Sequence, residues 1–165
     1  MNNQPIWKPS DLQIENANMT KFMNFINLKY HIKLKNYEQL YDWSVKYIAN
    51  FWDAVWEFMD IIYSEKPASV LSMISKSEKK ENIRNYRWFK DARLNFAENL
   101  LRFNDEATAI IYSGENSKTQ KLSYSDLYLQ TAKFAFGLKR LGIGKGDRIA
   151  GFISNIPEAV ISMLA

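Results

Sequence analysis

The chain has 165 residues, 47% of them hydrophobic and 24% charged, which suits one domain and excludes a disordered polypeptide. Its 22 basic and 18 acidic residues leave a formal charge of +4, with the two signs mostly interleaved, so no nucleic-acid-binding stripe stands out. The absence of cysteine excludes disulfides, thiolate metal sites and a cysteine nucleophile, and it is compatible with a reducing compartment.

The start, Met1-Asn2-Asn3-Gln4-Pro5, lacks the charged and apolar regions of a secretory signal, and no run reaches the ~20 apolar residues that span a bilayer. A soluble, cytoplasmic protein with no membrane partner is expected. Residues 1–18 read as an irregular lead-in because Pro5, Pro9 and several Asn and Asp interrupt any period.

Residues 20–63 read as helical. Leu40, Trp43, Tyr47, Phe51, Val55, Phe58 and Ile62 recur every three or four positions, and Ile48, Trp52 and Met59 widen the stripe. An aromatic face of this width is core-forming before it is a ligand box. Asp42 with Lys46 and Asp53 with Glu57 fall on the other side and read as solvated surface. Pro67 is expected to end the helical region.

Residues 76–93 are rich in Lys and Arg, with Tyr86, Trp88 and Phe89 between them. Such a run reads as a phosphate-facing surface or as a solvated connector anchored by its aromatics; the lack of a base-reading motif favours the connector. A short helix is expected over residues 94–102.

The pattern then changes. Thr108-Ala109-Ile110-Ile111-Tyr112 is a strand by composition, followed by a turn-rich stretch at 113–117 and a second short strand at 121–123. Ser123 and Asp126 have capping-box spacing, so a helix should start there with Leu127, Thr131, Phe134, Ala135, Leu138 and Leu141 on its buried face. Gly142 stands at the position of a C-terminal cap. Residues 148–153 read as a buried strand, and Asn155, Pro157 and Glu158 as the start of a last helix. A helix between apolar strands implies a layered α/β unit. The last helix stops after about two turns without a cap, and the strand before it lacks neighbours, so the chain is expected to be the front of a longer polypeptide.

Little in this pattern carries chemistry. Gly142-Ile143-Gly144-Lys145-Gly146-Asp147 closes a helix and leads into a strand, the reverse of a phosphate-binding fingerprint, so it reads as a turn. His31 is the single histidine, without companion metal ligands. No G-x-S-x-G nucleophile elbow occurs.

Several segments together resemble one family. Asn36-Tyr37-Glu38-Gln39-Leu40-Tyr41-Asp42-Trp43-Ser44-Val45, with Phe51-Trp52 and Val55-Trp56-Glu57-Phe58, is similar to the N-terminal helical region of acetoacetyl-CoA synthetases. So is Trp88-Phe89 with Ala92-Arg93-Leu94-Asn95-Phe96-Ala97-Glu98-Asn99-Leu100-Leu101. Leu122-Ser123-Tyr124-Ser125-Asp126-Leu127, Gly142 to Ala150, and Asn155-Ile156-Pro157-Glu158-Ala159-Val160 resemble the wider adenylate-forming superfamily.

The resemblance implies an α/β fold: a helical N-terminal region and connector over 1–104, then the incomplete start of the layered synthetase/ligase domain over 105–165. It implies an acid–thiol ligase that converts acetoacetate, ATP and CoA to acetoacetyl-CoA, AMP and diphosphate through an acyl-adenylate. The full-length enzyme would use ATP, Mg²⁺ and CoA, and none of them is expected to bind this chain tightly. The family's phosphate loop, ribose-binding carboxylate and mobile-domain lysine would lie beyond residue 165, so no catalytic, cofactor-binding or metal residue is assigned. The expected partner is the rest of the synthetase, with a small acid as substrate and no nucleic acid. Two alternatives stay open: a piece of an acetyl- or propionyl-CoA synthetase, and a non-catalytic helical interaction module.

Overall fold

A computed structural model describes residues 6–74, 85–115 and 119–165. Mixed helix and strand divide into two compact units, Met1–Arg93 and Leu94–Ala165.

The first unit is led by helices. Where an irregular lead-in was expected, α1 (Asp11–Asn16) forms, because Ser10 and Gln13 make a reciprocal capping box: each backbone N–H donates to the other's side-chain oxygen, at 2.8 Å and 3.3 Å. The single helical stretch expected over 20–63 is three helices, α2 (Asn18–Tyr30), α3 (Tyr37–Lys46) and α4 (Ile48–Phe58). Helix α2 ends at His31, which adopts a left-handed φ of 54°. Asn36 restarts the chain as a helix by accepting the Gln39 N–H at 3.0 Å. Tyr47, at φ −120°, separates α3 from α4. The helical region therefore ends at Phe58, ahead of Pro67.

The core of this unit is Phe22, Ile26, Leu40 and Ala54, with Phe25, Trp43, Phe51, Val55 and Phe58 packed around it. Phe22 meets Phe51 edge-on at 5.8 Å and Phe58 at 5.0 Å, which ties α2 to α4. Of the expected apolar stripe, Leu40 is buried and Trp43, Phe51, Val55 and Phe58 are partly buried, while Tyr47 and Ile62 are exposed.

A β-hairpin follows. Strand β1 (Ser69–Met73) pairs antiparallel with β2 (Tyr86–Lys90), matching Ser69 with Lys90 and Leu71 with Trp88. A two-stranded ribbon is marginal alone, and its rings reach α4: Trp88 meets Trp52 at 6.0 Å and Phe89 meets Trp56 at 4.9 Å. The second half of the basic run is therefore a strand rather than a connector; its first half lies outside the described residues.

The second unit holds α5 (Phe96–Leu100), the antiparallel pair β3 (Thr108–Tyr112) and β4 (Gln120–Ser123), α6 (Tyr124–Arg140) and α7 (Pro157–Leu164). Leu127, Ile161 and Leu164 form its buried core against Ala97, Leu101, Ala109, Ile110 and Leu122. The Ser123 box caps α6 as expected, its hydroxyl accepting the Asp126 N–H at 3.1 Å. Of the expected buried face, Leu127 and Thr131 are buried, whereas Phe134 and Leu141 are exposed. Residues 148–153 join no ladder, contrary to the strand expected there, and Ile156, not Asn155, caps α7 with Pro157 in its first turn.

Candidate functional site

The glycine turn shows where its backbone donors go. Gly142 adopts φ +81° and directs its N–H to the Lys139 carbonyl at 3.0 Å, while the Ile143 N–H reaches Leu138 at 3.1 Å. These two bonds make a Schellman cap for α6. The Gly144 N–H donates to the Asp147 carboxylate at 2.8 Å, and the Asp147 N–H returns to the Gly144 carbonyl at 3.1 Å. A phosphate cradle needs convergent free amides. Here the amides of Gly142, Ile143, Gly144 and Asp147 have internal acceptors, and the carboxylate would repel a phosphate. The turn does not fit a nucleotide's phosphates.

The other singled-out residues are dispersed. His31 is the left-handed cap of α2. Within the described part of the basic run, the Arg93 side chain pairs with Glu65 at 3.1 Å, and the two backbones bridge antiparallel. Asp53 and Glu57 do more than face solvent: both hold the Lys29 ammonium, at 2.7 Å and 2.6 Å, across α2 and α4. The Tyr30 hydroxyl has the Asn50 carbonyl at 2.9 Å and Asp53 at 3.2 Å as acceptors. Burial alone would lower the Lys29 pKa, but the hydrogen bonds to Asp53 and Glu57 outweigh it and raise it above 10.5. Burial raises the Tyr30 hydroxyl above 10.0. This cluster joins two helices, and Asp53 and Glu57 also border a cavity of about 230 Å³ with Trp56 and Lys66. Among the described residues, no three His, Cys, Asp or Glu side chains gather as metal ligands.

One concave feature stands out in the second unit, a groove of about 730 Å³. Phe134 and Leu138 of α6 and Met163 of α7 form one wall, the glycine turn closes an end, and Ile149, Gly151 and Ile153 border it. Its lining is mainly apolar and carries no nucleophile–base pair. Sequence periodicity placed Phe134 and Leu138 in a core; the structure leaves Phe134 at 42% exposure on the groove wall.

The chain is similar to known proteins along nearly its whole length. The acetyl-coenzyme A synthetase N-terminus family matches residues 37–100, and the AMP-binding enzyme family matches residues 96–165. The chain is 35% identical over 162 residues to the acetoacetyl-CoA synthetase of Xenopus tropicalis, covering 97% of this chain and 23% of that protein. It is 32% identical over 162 residues to the acetoacetyl-coenzyme A synthetase of Rhizobium meliloti (strain 1021), covering 98% of this chain and 24% of the relative. The solved structure of acetoacetyl-CoA synthetase from Streptomyces lividans superposes with a TM-score of 0.75 at 33% identity, over 98% of this chain and 24% of that one.

The chain is similar to the AMP-binding enzymes, whose family matches it over residues 96–165. Within them it matches the N-terminal region of acetoacetyl-CoA synthetases, spanning about a quarter of the length of the relatives it matches. No helix among the described residues is long and apolar enough to cross a membrane.

Proposed function

We propose that this chain is the N-terminal scaffold of an acetoacetate–CoA ligase and is catalytically silent by itself. In that reaction the acetoacetate carboxylate attacks the α-phosphorus of ATP and expels diphosphate, and the CoA thiol then displaces AMP from the acyl carbon. ATP, CoA and a divalent cation would bind in the rest of the enzyme. The observation that carries the reading is similarity across nearly the whole chain to proteins of that activity, joined to an internally bonded glycine turn. The residues present do structural work: aromatic packing between α2 and α4, the hairpin tacked onto α4, and α6 with α7 backing a groove.

The proposal divides the chain into a helical N-terminal region and connector, 1–104, and the start of the ligase domain, 105–165. The two compact units support this division, although they part between Arg93 and Leu94 and α5 packs with the second. A cytoplasmic location belongs to the same proposal. A second reading, part of an acetyl- or propionyl-CoA synthetase, is favoured only by the match to the acetyl-coenzyme A synthetase N-terminus at residues 37–100.

Grafting this chain in place of the matched quarter of the Streptomyces lividans enzyme tests the scaffold role, since the host supplies the reacting groups. Diphosphate release that depends on acetoacetate supports the proposal. A soluble, folded graft with no acetoacetate-dependent release refutes it.

A further inference from the structure

Helix α6 carries a second apolar stripe that its own unit does not use. Leu127 and Thr131 are buried and fix which side of α6 faces the core. At about 100° per residue, Leu129, Ala132 and Phe136 fall on roughly the opposite side. All three are exposed, Leu129 at 52% and Phe136 at 63%, where a solvated helix face carries polar residues. Their spacing of three and then four residues is that of the two seam positions of a heptad. Lys133 and Arg140, seven residues apart, run along one flank of this seam, and Lys139 lies on the other. These three cations are exposed, and none makes an ion pair among the described residues. The one carboxylate on α6, Asp126, is engaged at the cap, where it accepts the Ser123 N–H at 3.1 Å.

We propose that this face of α6 docks an acidic amphipathic helix of a partner protein. The partner's apolar side chains pack on Leu129, Ala132 and Phe136, and its carboxylates pair with Lys133, Arg140 and Lys139. Ala132 leaves room between Leu129 and Phe136 for one large apolar side chain of the partner. The residues involved all belong to this chain, so the surface does not depend on the ligase activity. Charge selects the occupant. Two copies of this chain pairing antiparallel along the seam would set Lys133 and Arg140 against the same cations. A parallel pair would set them against Tyr128 and Ala135, which carry no charge. An anionic lipid surface would attract the cations but bury only Leu129 and Phe136 as large apolar groups, a small anchor for a helix lying on a membrane. An acidic helix satisfies both the seam and all three cations.

Fluorescence anisotropy tests this with two labelled synthetic helices of about three heptads, both with leucine at the seam positions. One carries glutamate at the flanking positions and the other lysine. The 165-residue chain should bind the glutamate peptide with a dissociation constant on the order of 100 µM at low salt. The lysine peptide should bind at least about 10-fold more weakly, and about 0.5 M NaCl should remove most of that preference. Lys133→Glu with Arg140→Glu should reverse the preference, and Lys133→Gln with Arg140→Gln should remove it without reversal. Phe136→Asp should weaken the glutamate peptide by at least about 10-fold. These positions are exposed, so circular dichroism should show native helix content in each variant.

Glutamate-peptide binding that survives both the charge reversal and Phe136→Asp overturns the proposal, because the peptide then sits elsewhere on the chain. Equal binding of the two peptides to the unaltered chain, or none of either, overturns it as well. Binding to phosphatidylserine vesicles in place of the glutamate peptide assigns the face to a lipid surface and overturns the acidic helix as its occupant.

Discussion

Ile26→Ala is the sharpest probe of the first unit's core. Ile26 is fully buried on α2, in the cluster that joins α2 to Leu40 of α3 and Ala54 of α4. Removing three carbons forfeits about 2.4 kcal/mol of transfer free energy at ~0.8 kcal/mol each. The cavity left between three helices adds to this, bringing the expected loss to about 3–4 kcal/mol. For a unit of this size that lowers the melting midpoint by roughly 12–32 °C. All five tryptophans, Trp7, Trp43, Trp52, Trp56 and Trp88, lie in the first unit, so their emission follows its unfolding and not that of the second. Leu28→Ala is the matched control: it lies on the same helix at 78% exposure and should change stability by no more than ~0.5 kcal/mol. Urea titrations followed by tryptophan emission give both values. A loss below about 1 kcal/mol for Ile26→Ala, or one equal to that of Leu28→Ala, would refute the packing described for α2, α3 and α4.

Three further outcomes follow from local geometry. Gly142→Ala, at φ +81°, should destabilise the second unit by about 1–2 kcal/mol, whereas Gly137→Ala on exposed α6, with open space at its Cβ, should stabilise it by about 0.5–1 kcal/mol; exchange of α6 amides reads both. Thr131→Val should be neutral or stabilising by up to about 1 kcal/mol in the same measurement, because its buried hydroxyl has no hydrogen-bond partner among the described residues. The Lys29 and Tyr30 pKa values are both raised in the folded chain, so their contribution is present below their unfolded values and is lost as pH rises through the folded ones. Tryptophan-monitored midpoints should therefore fall above about pH 10, and Lys29→Met should flatten that alkaline decline.

Features written in a few adjacent residues were legible in the sequence. The Ser123–Asp126 box and the Gly142 cap depend on contacts within one or two turns, and both stand where their spacing placed them. Ser10 and Gln13 carried the same signal for α1, hidden by the nearby prolines. The three-helix division was masked because the apolar period runs on through Tyr47, and a left-handed His31 leaves no mark on periodicity. Non-local features were illegible. Strand β1 is defined by pairing with β2, and the role of Asp53 and Glu57 by Lys29 on another helix. Residues 148–153 show the converse: local propensity announced a strand, but a strand exists only with a partner, and none among the described residues pairs with it. The family resemblance was carried by scattered motifs such as Leu94-Asn95-Phe96-Ala97-Glu98-Asn99-Leu100-Leu101, whose spacing has no chemistry of its own.

The measurement that tests the central claim most directly is acetoacetate-dependent diphosphate release from ATP by the 165-residue chain alone, with and without CoA. The account predicts no release above background, because the Gly142, Ile143, Gly144 and Asp147 amides are bonded within the glycine turn and the family's reacting groups are placed in the rest of the enzyme. Clear acetoacetate-dependent turnover would contradict it and would place phosphate chemistry in residues described here as scaffold.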